Sequence, residues 1–185
     1  ELGGGQLGIG MSFGMYQSGL DGSQLNPSET GDNTIPTSEV TGSALDLGAG
    51  IYFNTQDVYF GLSSLHLSEP SIDVSDGSIK QLKQHYFLIA GSYHSITEAL
   101  SLNPSIYLKS DGSSSQLDIN TNLIYNDKIW GGLSYRLDDG IVVLAGLEIM
   151  KDLRLGFAYD LVMSEIKTNS FEVMLGYNFD IKVDT

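Results

Sequence analysis

Cysteine is absent from the 185 residues, histidine occurs three times, and nine Lys and Arg stand against 23 Asp and Glu. Without cysteine there is no disulfide framework, no Cys-ligated zinc or iron–sulfur centre and no thiol nucleophile. A formal net charge of −14 repels phosphate backbones and anionic headgroups, which argues against nucleic-acid binding. No run of about 18 apolar residues offers a transmembrane helix, and no h-region marks a signal peptide. Glu1 leads straight into glycine-rich sequence with no initiator Met, so the gene product is expected to start upstream. Charged residues make up only 17%, below the ~25% usual in soluble domains, while the 22 glycines exceed the ~7% norm. The length suits one domain over residues 1–185, with a surface unlike that of an ordinary soluble protein.

What is present is a period of two. Leu153, Leu155, Phe157, Tyr159 and Leu161 alternate with Arg154, Gly156, Ala158 and Asp160. Phe171, Val173, Leu175, Tyr177 and Phe179 alternate in the same way with Glu172, Met174, Gly176, Asn178 and Asp180. Leu117, Ile119, Thr121, Leu123 and Tyr125 oppose Asp118, Asn120 and Asn122, and Ile129, Leu133 and Tyr135 oppose Lys128, Trp130, Ser134 and Arg136. Such alternation marks strands with one greasy, aromatic face and one small or charged face. It predicts ten strands near residues 5–16, 43–53, 57–66, 84–95, 100–109, 116–125, 128–137, 140–150, 153–163 and 170–181, and no helix. Most are about ten residues long, which exceeds the ~5 to 6 of soluble sheets and matches the ~9 to 11 that cross a bilayer at a tilt.

The connections alternate as an outer-membrane barrel requires. Short turns are predicted at Thr55–Gln56, Ile96–Glu98, Asn126–Asp127 and Lys151–Asp152. Longer loops are predicted at residues 17–42, 67–83, 110–115 and 164–169, with the Asp138–Asp139–Gly140 turn breaking the trend. The expected fold is all-β: a transmembrane antiparallel up-and-down β-barrel with about ten strands in this chain. Gly176, Phe179 and Ile181 stand at the spacing of a terminal strand read by barrel-insertion machinery, although an edge strand of a soluble β-sandwich would look the same.

Several segments, in order, resemble a known family. They are Gly50 to Pro70 (GIYFNTQDVYFGLSSLHLSEP), His85 to Tyr93 (HYFLIAGSY), Leu102 to Lys109 (LNPSIYLK), Asp118 to Arg136 (DINTNLIYNDKIWGGLSYR) and Leu155 to Asp160 (LGFAYD). From about residue 43 onward the chain is similar to the PorP/SprF family of type IX secretion outer-membrane proteins. The resemblance implies a barrel in the bacterial outer membrane of the Bacteroidetes lineage, in contact with outer-membrane lipid. It implies work with other type IX secretion or gliding components, in some members by holding secreted type IX substrates or surface adhesins at the cell surface. Family proteins carry strands ahead of this chain's start, so the chain is expected to be the C-terminal part of a larger barrel.

Enzyme chemistry needs a nucleophile with a base, paired carboxylates or metal ligands in one place, and none is read here. His85 and His94 lie nine apart on one predicted strand and so on opposite faces, unable to share a metal. His66 is expected to hydrogen-bond at a strand end. The Asp-rich stretches at Asp21–Ser23, Asp32–Asn33 and Asp73–Gly77 could hold calcium, yet such clusters are the usual chemistry of exposed turns. The opening GGGQLGIGMSFG from Gly3 to Gly14 lacks the lysine and helix of a phosphate loop. No cofactor and no metal ligand is assigned. Asp46, Lys109, Asp118, Lys128, Arg136, Glu148, Arg154, Asp160 and Glu172 all fall opposite the aromatics, where charge must be paired or solvated. Pairing would give a plugged, partner-binding barrel, which is preferred over the alternatives of a porin-like solute channel and a secreted glycan-binding β-sandwich.

Overall fold

The computed structural model describes residues 4–21, 23, 38–75, 78–163 and 168–179, with only the backbone described for residues 73–75 and 78–80. Thirteen strands follow one another along the described chain. They are β1 Gln6–Asp21, β2 Glu39–Asn54, β3 Val58–Leu65, β4 Ser71–Ser75, β5 Ser78–Gln81, β6 His85–Ser92, β7 His94–Ser95, β8 Leu100–Ser110, β9 Ser115–Tyr125, β10 Ile129–Arg136, β11 Gly140–Met150, β12 Leu153–Val162 and β13 Ser170–Tyr177. All but β4 and β5 form one up-and-down antiparallel sheet, in the order β1-β2-β3-β6-β8-β9-β10-β11-β12-β13, with β7 beside β8. The sheet is open: among the described residues β1 pairs only with β2, and β13 only with β12.

The cross-strand register fixes two faces. Asp118, Arg136 and Gly140 lie abreast, as do Asn120, Ser134, Val142, Asp160 and Ser170. These rows put the small and charged residues on what we call the inner face. The other face is apolar and open, with Ile9 77% exposed, Phe13 72% and Leu175 68%. Ile119, Leu133, Tyr135, Phe157 and Tyr177 are exposed on it as the alternation predicts. Leu117 and Leu155 share it but are half-buried, because Leu155 is flanked in register by Leu147 and Leu175, and Leu117 by Leu108.

Turn chemistry separates the two rims. On one, Asn126 and Asp127 both have left-handed backbones (φ 50° and 56°), and the Lys128 N–H closes a two-residue turn onto the Tyr125 carbonyl at 3.0 Å. That turn matches the strands' own twist. Two further turns there are held by a threonine side chain instead: the Thr55 hydroxyl accepts the Val58 N–H at 3.0 Å, and the Thr97 hydroxyl accepts the Leu100 N–H at 3.1 Å. The opposite rim carries the connections 22–38, 66–84, 111–114, 137–139 and 163–169.

Three expectations are corrected. The predicted 67–83 loop contains the β4–β5 hairpin, because Ser71-Ile-Asp-Val-Ser alternates over a stretch short enough to be read as loop; Ile72, 3% exposed, anchors it. The predicted 84–95 strand is broken at Tyr93 into β6 and β7. The cause is Pro104, which falls opposite Ser92 and has no N–H to give to the ladder. The Asn103 side-chain amide donates to the Ser92 carbonyl at 3.0 Å in its place. The first loop is shorter than residues 17–42, since β1 runs on to Asp21 and β2 starts at Glu39.

Candidate functional site

The inner face is furnished differently along the sheet. Over β1, β2, β3 and β6 the floor is glycine (Gly8, Gly10, Gly48, Gly50 and Gly61), with Tyr52, Leu65, Phe87, Ile89 and Tyr107 as walls around an apolar groove of about 810 Å³. Glycine is required where an aromatic ring lies across the neighbouring strand. A Cβ on Gly61 would meet Tyr52, one on Gly91 would meet Tyr59, and one on Gly146 would meet Trp130, each glycine being the register partner of that ring. Rings laid over strand glycines shield the backbone that those residues expose.

Over β9 to β13 the inner face turns polar, and Arg136 is its hub. The Arg136 guanidinium donates to Asp160 at 2.8 Å and to Asp139 at 3.1 Å, and lies 3.6 Å from Asp118. Asp118 is 8% exposed and also accepts from the Gln116 amide at 3.0 Å. Three carboxylates around one guanidinium leave a local surplus of negative charge. Beside them a pocket of about 210 Å³ is lined by Asn120, Ser134, Ser170 and Glu172 as well as Asp118, Arg136 and Asp160. The Ser134 hydroxyl, Arg136 Nε and one oxygen of Asp160 are buried with no hydrogen-bond partner among the described residues.

The remaining predicted inward charges behave unequally. Glu148 and Arg154 sit 3.6 Å apart near the short-turn rim, with Arg154 half exposed. Asp46 pairs with His66 Nδ1 at 2.9 Å, which supplies the hydrogen bond expected of that histidine. Lys109, Lys128 and Glu172 make no ion pair among the described residues. Sequence reasoning missed Asp139, placed only as a turn residue although it stands three positions from Arg136, and the edge-on contact of the His66 and His85 rings, whose centroids are 5.7 Å apart. His85 and His94 belong to separate strands. Among the described residues no group of three or more His, Asp or Glu could hold a metal ion.

Of the Asp-rich stretches, Asp21 accepts from the Ser23 N–H at 3.1 Å and hydroxyl at 2.6 Å, the geometry of an Asx turn. Gly22, Asp32, Asn33, Asp76 and Gly77 lie outside the described residues, as do Asp180 and Ile181, so the terminal-strand spacing is not covered. On the long-loop rim Asp111 accepts the backbone N–H groups of Ser114 at 2.7 Å and Ser113 at 2.9 Å. Those bonds favour the ionised form and lower its pKa to about 2.

An all-β up-and-down sheet, apolar on one face and polar on the other, is the class of a strand-built membrane protein; no described helix is long and apolar enough to cross a membrane. The family model of the type IX secretion system membrane protein PorP/SprF matches residues 3–177. The chain belongs to that family and is a type IX secretion system membrane component. The match takes in β1 and β2 as well as the segments from Gly50 onward. No curated protein and no solved structure matches the chain.

Proposed function

We propose that the chain is a non-enzymatic component of an outer-membrane barrel that docks secreted surface proteins, adhesins among them, on its long-loop rim alongside other secretion components. The observation that carries this is the reach of the first hairpin. On the outer face of β1, Leu7, Ile9, Met11, Phe13 and Met15 are apolar, and the next residues on that face are Gln17, Gly19 and Asp21; on β2 the change comes between Leu45 and Ser43. The apolar stretch from Leu7 to Met15 covers about 26 Å of strand at ~3.3 Å per residue, or roughly 20 Å of height at the ~35–45° tilt of barrel strands, most of a lipid band ~25 Å tall. Beyond it the hairpin stands clear of hydrocarbon, on the same rim as the β4–β5 hairpin. A rigid scaffold that lifts its connections away from the bilayer is where binding is expected.

Closure of the sheet belongs to the same reading. Nine successive antiparallel steps from β1 to β13 leave the two edge strands antiparallel to each other, so they can meet directly or through an even number of further strands. Open edges in hydrocarbon would leave backbone donors unsatisfied.

Deleting residues 22–38 and 71–81 together should preserve heat-modifiable barrel mobility in membranes while releasing the surface partner to the medium. A partner that stays attached through both deletions would move docking to the inner face or the short turns. Formation of a disulfide between cysteines placed at Met11 and Val173 would indicate direct closure and remove the need for further strands.

A further inference from the structure

We propose that the inner face carries a cation-accepting pocket between β9 and β13 that takes a primary ammonium group, as presented by a lysine side chain of a polypeptide. This goes beyond docking at the rim and does not depend on it. The pocket is the 210 Å³ cavity beside Arg136. Its walls hold three carboxylates, Asp118, Asp160 and Glu172, against the one guanidinium of Arg136. Partly buried charge of one sign calls for a counter-charge, because desolvation in a low-dielectric site is costly when unpaired.

Two further observations point to a ligand rather than to an internal pair. Ser134 is 4% exposed, lines the cavity and has a hydroxyl with no partner among the described residues. One oxygen of Asp160 is likewise buried and unpartnered, although the other accepts from Arg136 at 2.8 Å. Glu172, one register row along on β13, makes no ion pair among the described residues and is available to a guest.

The donor set selects the kind of cation. No described cluster of His, Asp and Glu has metal-holding geometry, so a bare divalent ion is a poor fit. An ammonium brings three N–H donors. The free Asp160 oxygen and the Glu172 carboxylate, on the adjacent strands β12 and β13, offer acceptors for them, while the Ser134 hydroxyl lines the same cavity two strands from Asp160. The chain's charge of −14 favours basic guests over acidic ones.

The test uses the whole protein in lipid nanodiscs and a terminally blocked Gly-Lys-Gly peptide, so that the probe carries one charge. Its Nε-acetylated form is the neutral control, and butylammonium chloride and calcium chloride are the other arms, all followed by calorimetry and by amide shifts of β10 and β12. The lysine peptide should bind and the acetylated one should not. Glu172→Gln should weaken binding about tenfold and Ser134→Ala about fivefold, the sizes of a charged and a neutral hydrogen bond. Neither substitution breaks an ion pair, so both variants are expected to fold. Asp127→Asn, on the opposite rim, should bind as the parent does. Butylammonium binding as tightly as the peptide would assign the pocket to free amines and overturn the polypeptide source. Equal binding of the acetylated peptide, an unchanged affinity in Glu172→Gln, an equal loss in Asp127→Asn, or saturation by calcium that excludes the peptide would each overturn the proposal.

Discussion

The two halves of the inner face share one outer face and almost nothing else. Both present mainly apolar residues outward, with Ser64 in one half and Thr121 in the other among the polar exceptions, as suits a lipid-facing sheet. Inward, β1, β2, β3 and β6 are paved with glycine around an apolar groove, and their one ion pair among the described residues is His66 with Asp46 at the rim. In β9 to β12 the same positions hold Asp118, Asn120, Asn122, Arg136 and Asp160, with Asp118 and Asp160 gathered at one guanidinium. The membrane dictates the outer pattern, and the inner pattern is free to differ, so differences in role should be sought inside.

Breaking the polar hub is the harshest test of that contrast. Arg136→Met leaves Asp118 and Asp160 without their cation, and should cost roughly 3 kcal/mol, the lower end for a broken buried pair because Arg136 keeps 23% of its side-chain surface. Asp46→Asn in the glycine-paved half should cost about 1 kcal/mol or less, since Asp46 has a single partner there, His66, and an asparagine carboxamide keeps an oxygen that can accept its hydrogen bond. Urea unfolding in a fixed lipid would read both, and equal losses would dissolve the distinction.

Glycines sharpen it. A Cβ on Gly140 would run into the Leu161 carbonyl oxygen, so Gly140→Ala should destabilise by about 1–3 kcal/mol. Gly10 has nothing within 4 Å of such a Cβ, and Gly10→Ala should stay within ~0.5 kcal/mol of the parent. The same unfolding assay compares them.

The junction between the halves gives a smaller effect. Asn103→Ala removes the donor that serves the Ser92 carbonyl, at a site 7% exposed, and should cost about 1–2 kcal/mol. Pro104→Ala restores a backbone N–H there. In that background the Asn103→Ala loss should shrink, and a double-mutant cycle with no coupling would reject the explanation for the strand break.

Smallest of all is the rim. The Asp111 carboxyl is lowered from 3.8 to about 2, so its contribution is present above pH 3.8 and is lost as pH falls through 2. Amide exchange at Ser113 and Ser114 should quicken in that window. In Asp111→Ala the pH dependence there should vanish.

Most strands and the outer face were legible because a lipid-facing side imposes a period of two, clearest in β9, β10, β12 and β13. Asp118, Arg136 and Asp160 could be placed on a common face for the same reason. Their convergence could not, because it depends on register between strands up to 42 positions apart, which alternation alone does not set. Asp139 escaped because its turn carries it out of the period. The break at Tyr93 escaped because Pro104 acts across the ladder on a different strand. The β4–β5 hairpin was too short for its alternation to stand out from loop composition.

Single-cysteine scanning bears most directly on the membrane assignment, since the chain has no cysteine of its own. Fluorophores would be placed on the neighbours Ile119 and Asn120 and on Phe157 and Ala158 in liposomes. Labels at Ile119 and Phe157 should be quenched by bromine on the lipid tails and ignored by iodide in water. Labels at Asn120 and Ala158 should escape the brominated lipid. Lipid quenching at Asn120 and Ala158, with iodide reaching Ile119 and Phe157, would contradict the membrane-spanning sheet.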